Sequence, residues 1–161
     1  MRFSAPPSEP IATSAISDPG ILLGALDEPV SVEAINGISP WQFSAALSPH
    51  MAAAREGRSI DFDELIALCR GAIARNDGAL FIEGVGGIMA PLDGEHTVLD
   101  WTKALGLPLI FVTGSYLGAI SHTLTALPVL ADVGLVLTVP VVHEADDGAE
   151  ARDATCATLA G

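Results

Sequence analysis

The sequence predicts an α/β fold, a mostly parallel sheet with helices on both faces. Apolar runs of strand length alternate with stretches of helical periodicity, the pattern of βαβ units and of strands buried on both faces. Half of the 161 residues are hydrophobic and the mean hydropathy is +0.47, enough apolar surface for the core of one domain. Aromatic residues make up only 5%, so Val, Leu, Ile and Ala must fill that core. The expected organisation is one domain over residues 1–161, with irregular or weakly ordered ends at 1–17 and 145–161.

Residues 1–17 are rich in Pro, Ser and Ala and read as an irregular lead-in. A short helix is predicted from Asp18 to Leu26, with Asp18 as N-cap and Pro19 at the first helical position. Glu28 to Leu47 holds Pro29, Gly37 and Pro40 and reads mostly as loop. Ser48 to Arg58 reads as a short helix opened by Ser48 or Pro49. The next helix carries the clearest pattern. Asp61 is placed to cap it, with Glu64 three residues on. Phe62, Leu65, Ile66, Cys69 and Ile73 then recur at helical spacing until Asn76-Asp77-Gly78.

Ala79 to Ile82 is a compact apolar strand, ending in Glu83 and a glycine-rich loop. A helix from about Thr97 to Leu105 stops at Gly106 and Pro108. Leu107 to Gly114 is a second apolar strand. From Tyr116, the positions Leu117, Ile120, Leu124 and Leu127 form another helical stripe, which Pro128 should kink or end. Gly134 introduces a last strand, Leu135 to Val142. The acidic, alanine-rich tail follows.

A formal charge of -13 and a pI near 4.3 argue against nucleic acid or an anionic membrane as partner. Lys103 is the only lysine, so an anionic ligand would be held by backbone N–H groups, a metal or a few arginines. Cys69 and Cys156 are far apart in sequence without metal-ligand neighbours, the pattern of a reduced, cytoplasmic protein. No apolar run is long enough to span a bilayer, and MRFSAPPSEP lacks the apolar region of a signal peptide.

Ligands of parallel sheets bind beyond the carboxyl ends of the strands, and two segments fall there. The first is Ile82 to Gly87, IEGVGG. A carboxylate at a strand end suits a metal or a donor cluster, and Gly84, Gly86 and Gly87 allow close approach of backbone N–H groups to an anion. A solvated glutamate followed by a flexible turn accounts for the same residues equally well. The second is Val112 to Thr123, a strand leading into a helix whose free N–H groups would suit a carboxylate. Simple helix packing is the commoner role for such a segment, and His122 within it is more often a packing residue than a catalyst. No nucleophile–His set and no zinc-ligand spacing stands out, so no catalytic side chain is assigned.

Four stretches, in order, resemble the dethiobiotin synthetase family, P-loop-type α/β enzymes of biotin synthesis. They are SDPG (Ser17 to Gly20), SPHMAAAREGRSID (Ser48 to Asp61), IEGVGGIMAPL (Ile82 to Leu92) and LPLIFVTGSYLGAISHTLTAL (Leu107 to Leu127). The resemblance implies a P-loop NTPase-like sheet and an ATP- and Mg²⁺-dependent reaction. 7,8-Diaminononanoate takes up carbon dioxide, and ATP activates the carbamate so that a ureido ring closes. It places Asp18 and Glu83 at Mg²⁺ positions, and Glu83, Gly84, Val85, Gly86 and Gly87 near nucleotide and carbamate. Gly118, Ala119 and Ser121 match the helix start that takes the substrate's tail carboxylate across a homodimer interface.

The sequence also departs from that pattern. It contains no G-x-x-x-x-G-K-S/T loop, Ser121 stands where the family has Asn, and His143-Glu144 replaces an Asn-Asp near the adenine. The expectation is therefore a fold lacking its first strand and P-loop, with weak ATP binding, low activity, and low stability or self-association. Two other readings remain beside it: a non-catalytic, dimerising relative, and a ligase of the cobyric acid synthase kind that shares the EGxGG turn.

Overall fold

Four of the described helices begin at short polar side chains that accept the first free N–H groups. The computed structural model describes residues 17–143 and 152–160. Most of the expected lead-in, and residues 144–151 of the tail, lie outside the described residues. Two compact units are present, Met1–Leu105 and Gly106–Gly161.

The first unit is helical. Helix α1, Asp18–Ala25, is capped by Ser17 rather than by Asp18. Ile21 N–H donates to Ser17 O at 2.8 Å as the first helical bond, and Gly20 N–H donates to Ser17 Oγ at 3.3 Å. Pro19 has no N–H to offer, so the cap reaches past it to Gly20. Helix α2, Val32–Ile38, occupies a stretch read as loop, with the Ser31 side chain accepting from Ala34 N–H. Pro29, Gly37 and Pro40 bracket or end this short helix without preventing it.

Helix α3, Pro49–Arg55, begins with Pro49 in its first turn and ends before Gly57, whose φ is 66°. Helix α4, Phe62–Arg75, forms as its pattern predicts: Asp61 accepts from Glu64 N–H at 2.9 Å, and Leu65, Ile66 and Cys69 are buried. Helix α5, Val98–Leu105, is opened by a reciprocal pair. Asp100 Oδ2 accepts from the N–H and hydroxyl of Thr97, and Asp100 N–H donates to Thr97 Oγ1. Gly106, φ 63°, follows its end.

The faces of α3, α4 and α5 meet in one core with Trp41, Phe43, Ile60 and Leu92. Leu65, Leu92 and Ile35 are completely buried. Burial pushes the Cys69 thiol up, against a hydrogen bond from the Trp101 indole, so it stays an uncharged core group.

The segment Ala79 to Ile82 is not a strand. An apolar run becomes one only when a neighbour accepts its ladder of hydrogen bonds, and none of the described residues pairs with it. Phe81 is accordingly 74% exposed.

The second unit is a βαβ arrangement. Strand β1, Leu109–Gly114, pairs in parallel with β2, Leu137–His143, and helix α6, Ala119–Asp132, connects them. This is the α/β pattern that the apolar runs foretold. Helix α6 continues through Pro128 instead of stopping there. A buried hydrogen bond from Thr123 Oγ1 to Thr113 Oγ1 ties its first half to β1, and Leu130 anchors its second half at 2% exposure.

The face that α6 buries is Ala119, Thr123 and Leu130, not the Leu117–Leu124 stripe; Leu117 and Leu124 point to solvent. Neither strand is buried on both faces. Ile110 and Val112 on β1, and Val139 and Val141 opposite them on β2, are exposed. Helix α7, Arg152–Ala160, packs on α6 and β2.

Candidate functional site

In the first unit, the Ser48 to Asp61 stretch and the Ile82 to Leu92 stretch meet at the turn between Ile82 and Thr97. Glu83 and Gly84 lie in irregular backbone, where N–H groups are not committed to a helix or a ladder. Gly84 has a packing reason for its size. A Cβ there would stand 3.1 Å from Val98 Cγ1 and 3.4 Å from the Trp101 ring. Gly86 has a conformational reason, φ 70°, with an added Cβ 3.2 Å from Ala90. Gly87 has neither: nothing lies within 4 Å of its virtual Cβ. Neither close packing nor a left-handed backbone requires glycine at that position.

The loop's far half is fastened by main-chain bonds. Ala90 N–H donates to Gly87 O, Val98 N–H to Ala90 O, and Leu99 N–H to Ile88 O at 2.7 Å. Leu92 N–H and Asp93 N–H both donate to His96 O. The Ser48 to Asp61 stretch comes to the same place, since His50 N–H donates to Pro91 O at 3.4 Å. His50, Arg58, Leu92 and Asp93 line an open cleft of about 270 Å³. Arg58 is held there by Gln42 O and Glu56 and lies over the Phe43 ring, 4.8 Å from its centroid. Glu56 accepts from the N–H and hydroxyl of Ser44, which together with Arg58 holds its carboxyl below the usual range.

Sequence reasoning missed the group at the loop's turn. Asp93 Oδ1 accepts from the N–H groups of Glu95 and His96, and Asp93 Oδ2 lies 2.9 Å from His96 Nδ1. The His96 ring stacks flat on Phe62 of α4, with centroids 3.9 Å apart and planes 6° from parallel. Hydrogen bonds from Glu95 N–H and from His96 outweigh partial burial and hold the Asp93 carboxyl below its ordinary value. The same hydrogen bond, with the charges of Asp93, Glu95 and Asp100, raises His96. The available signal was the three-residue spacing in Asp93-Gly-Glu-His96, beside Thr97-x-x-Asp100.

Asp18 sits in the first turn of α1, and Glu83 is exposed at the loop's start. Among the described residues no three His, Cys, Asp or Glu side chains gather to hold a metal. Asp18 and Glu83 each carry a hard carboxylate oxygen, the kind of ligand that Mg²⁺ takes.

In the second unit, Gly118 is the N-cap of α6 with φ 96°, and no side chain caps that end. Ala119 is buried, while Gly118 and Ser121 are exposed. His122 is braced by the Tyr116 hydroxyl at 3.0 Å. That ring also lies across Gly114, where a Cβ would meet it at 2.9 Å, so Gly114 must remain small. His143 ends β2, paired with Gly114; Glu144 lies outside the described residues.

No helix among the described residues is long and apolar enough to cross a membrane. The family model for an AAA domain matches residues 28–156. The chain is 49% identical over 133 residues to ATP-dependent dethiobiotin synthetase BioD of Acidiphilium cryptum, covering 82% of this chain and 60% of that protein. It is 51% identical over 130 residues to the protein of that name from Methylobacterium nodulans, covering 80% and 58%. For Phenylobacterium zucineum the values are 47% over 132 residues, covering 81% and 56%. The chain thus spans about 60% of the length of the curated relatives it matches. It belongs to the AAA domain family and groups by sequence with that family's dethiobiotin synthetases.

Proposed function

We propose that this chain is part of an ATP- and Mg²⁺-dependent dethiobiotin synthetase, closing the ureido ring of dethiobiotin from 7,8-diaminononanoate and carbon dioxide. Near-half identity to three synthetases over four fifths of the chain carries this reading. Both compact units serve the one synthetase-like domain. The protein acts in the cytoplasm as a homodimer, on small molecules rather than on nucleic acid or membrane.

The roles follow from chemistry already described. The Gly84 to Gly87 backbone, with Val85 between its glycines, offers N–H groups to nucleotide phosphates. The open face at Gly87 lets a phosphate come within hydrogen-bond distance. Asp18 and Glu83 supply hard oxygen ligands to Mg²⁺, which neutralises phosphate charge when bound. The start of α6, at Gly118, Ala119 and Ser121, takes the tail carboxylate of the diamine. Ala119 N–H already donates to Tyr116 O, but no side chain caps this helix end, and its partial positive charge suits that anion in a protein with one lysine. Orientation and charge neutralisation thus come largely from backbone.

The test is complementation of a bacterium lacking dethiobiotin synthetase, with dethiobiotin formation by the purified full-length protein from diaminononanoate, bicarbonate, ATP and Mg²⁺. Growth without biotin and ATP-dependent product support the reading. A dimer that forms no product would be the mark of a non-catalytic relative.

A further inference from the structure

We propose that Asp93, His96 and the Phe62 ring form a pH-sensitive clamp that sets the position of the Gly84–Gly87 turn. Three contacts build it. His96 Nδ1 meets Asp93 Oδ2 at 2.9 Å, its ring lies flat on Phe62 at 3.9 Å, and Asp93 Oδ1 holds the turn through two main-chain N–H groups. The imidazole therefore fastens the tip of the turn to the first residue of α4.

The clamp is continuous with the glycine turn. His96 O accepts from Leu92 and Asp93, Ala90 O from Val98, and Gly87 O from Ala90. Beneath the turn, Gly84 rests closely on Val98 and Trp101, which a methyl group there would have to push aside by a few tenths of an ångström. A shift of the Asp93–His96 tip is thus passed to Gly87 through a few short main-chain bonds.

The charge balance decides the direction. The carboxylates acting on His96 are Asp93, Glu95 and Asp100; Lys103 acts on Asp100. Asp61 and Asp63 flank Phe62 on α4, and His50 and Arg58 share the cleft with Asp93. His96 is raised, so its contribution is complete below its unfolded-state value and fades as pH rises through the folded-state value. Asp93 is lowered, so its contribution is present above its unfolded-state value and is lost as pH falls through the folded-state value. The clamp is tight between those two titrations. Above the upper one it keeps a neutral hydrogen bond and loses the charge assistance.

The functional meaning, tuning of the phosphate-binding turn, rests on the synthetase reading; the clamp itself does not. The experiment is a ¹H–¹⁵N NMR titration of the ligand-free, full-length protein across the histidine range, with His96→Gln and Asp93→Asn beside it. His96 is expected to titrate above the ordinary histidine range because of its bond to Asp93, and the amides of Gly84, Gly86 and Gly87 to follow its midpoint. Asp93→Asn should bring that midpoint down, and His96→Gln should abolish the glycine titration. ATP affinity should weaken with rising pH in the wild type and lose that dependence in His96→Gln. Glycine amides that titrate unchanged in His96→Gln, or a His96 midpoint indifferent to Asp93→Asn, would overturn the proposal. Amides that follow His96 in a protein binding no nucleotide would uphold the clamp and sink the synthetase reading.

Discussion

Gly84→Ala and Gly87→Ala separate what the fold asks of the glycine turn from what a ligand asks of it. At Gly84 the new methyl would stand 3.1 Å from Val98 Cγ1 and 3.4 Å from Trp101 Cζ3. Val98 and Trp101 are 7% and 2% exposed, so neither can swing into solvent to make room. Overpacking of this kind costs about 1–3 kcal/mol. At Gly87 the methyl enters open space and the backbone is not left-handed, so stability should change by less than about 0.5 kcal/mol. A difference of about 2 kcal/mol between the variants corresponds to about 4–8 °C in melting temperature for a chain of this size. Thermal melts followed by circular dichroism read that gap. Calorimetry with ATP and Mg²⁺ reads the other half: Gly87→Ala should keep the fold and weaken binding, because its methyl fills the face offered to a phosphate. Equal melting temperatures for the two variants would refute the packing account of this turn.

Capping should discriminate between two helices. Asp61→Ala removes a 2.9 Å bond to Glu64 N–H and is expected to cost about 1 kcal/mol in denaturant unfolding. Ser48→Ala should fall within about 0.5 kcal/mol of wild type, since the Ser48 hydroxyl makes no hydrogen bond at the start of α3. Leu65→Ala, at a fully buried position of α4, should cost about 2–5 kcal/mol in the same assay. On the open sheet face, Ile110 opposes Val139 and Val112 opposes Val141, all of them exposed. Concentration-dependent association in sedimentation is expected, and the double variant Val112→Thr, Val139→Thr should reduce it with little change in melting temperature.

Local signals were legible in the sequence because their physics spans only a few residues. Asp61 with Glu64, the Leu65–Ile66–Cys69 stripe and the Gly106 stop each act within one or two helical turns, and α4 and α5 formed where they pointed. The same holds for the apolar runs that became β1 and β2, because each found a parallel partner. Ser31 was an equally local cap for α2, but the nearby Pro29, Gly37 and Pro40 masked it.

What the sequence determined, then, is the α/β character, the Asp61 cap of α4 and the motifs that mark the family. What the tertiary structure decided depends on contacts between distant segments. Ala79 to Ile82 has a strand's composition yet no partner among the described residues. Pro128 lies inside a helix held at Thr123 and Leu130. Leu117 and Leu124 share a helical stripe, but α6 turns a different face toward β1. Glycine at 84 is explained by Val98 and Trp101, and His96 by the ring of Phe62, residues 14 to 34 positions away. Periodicity records which face of a segment is apolar; only packing determines what that face meets.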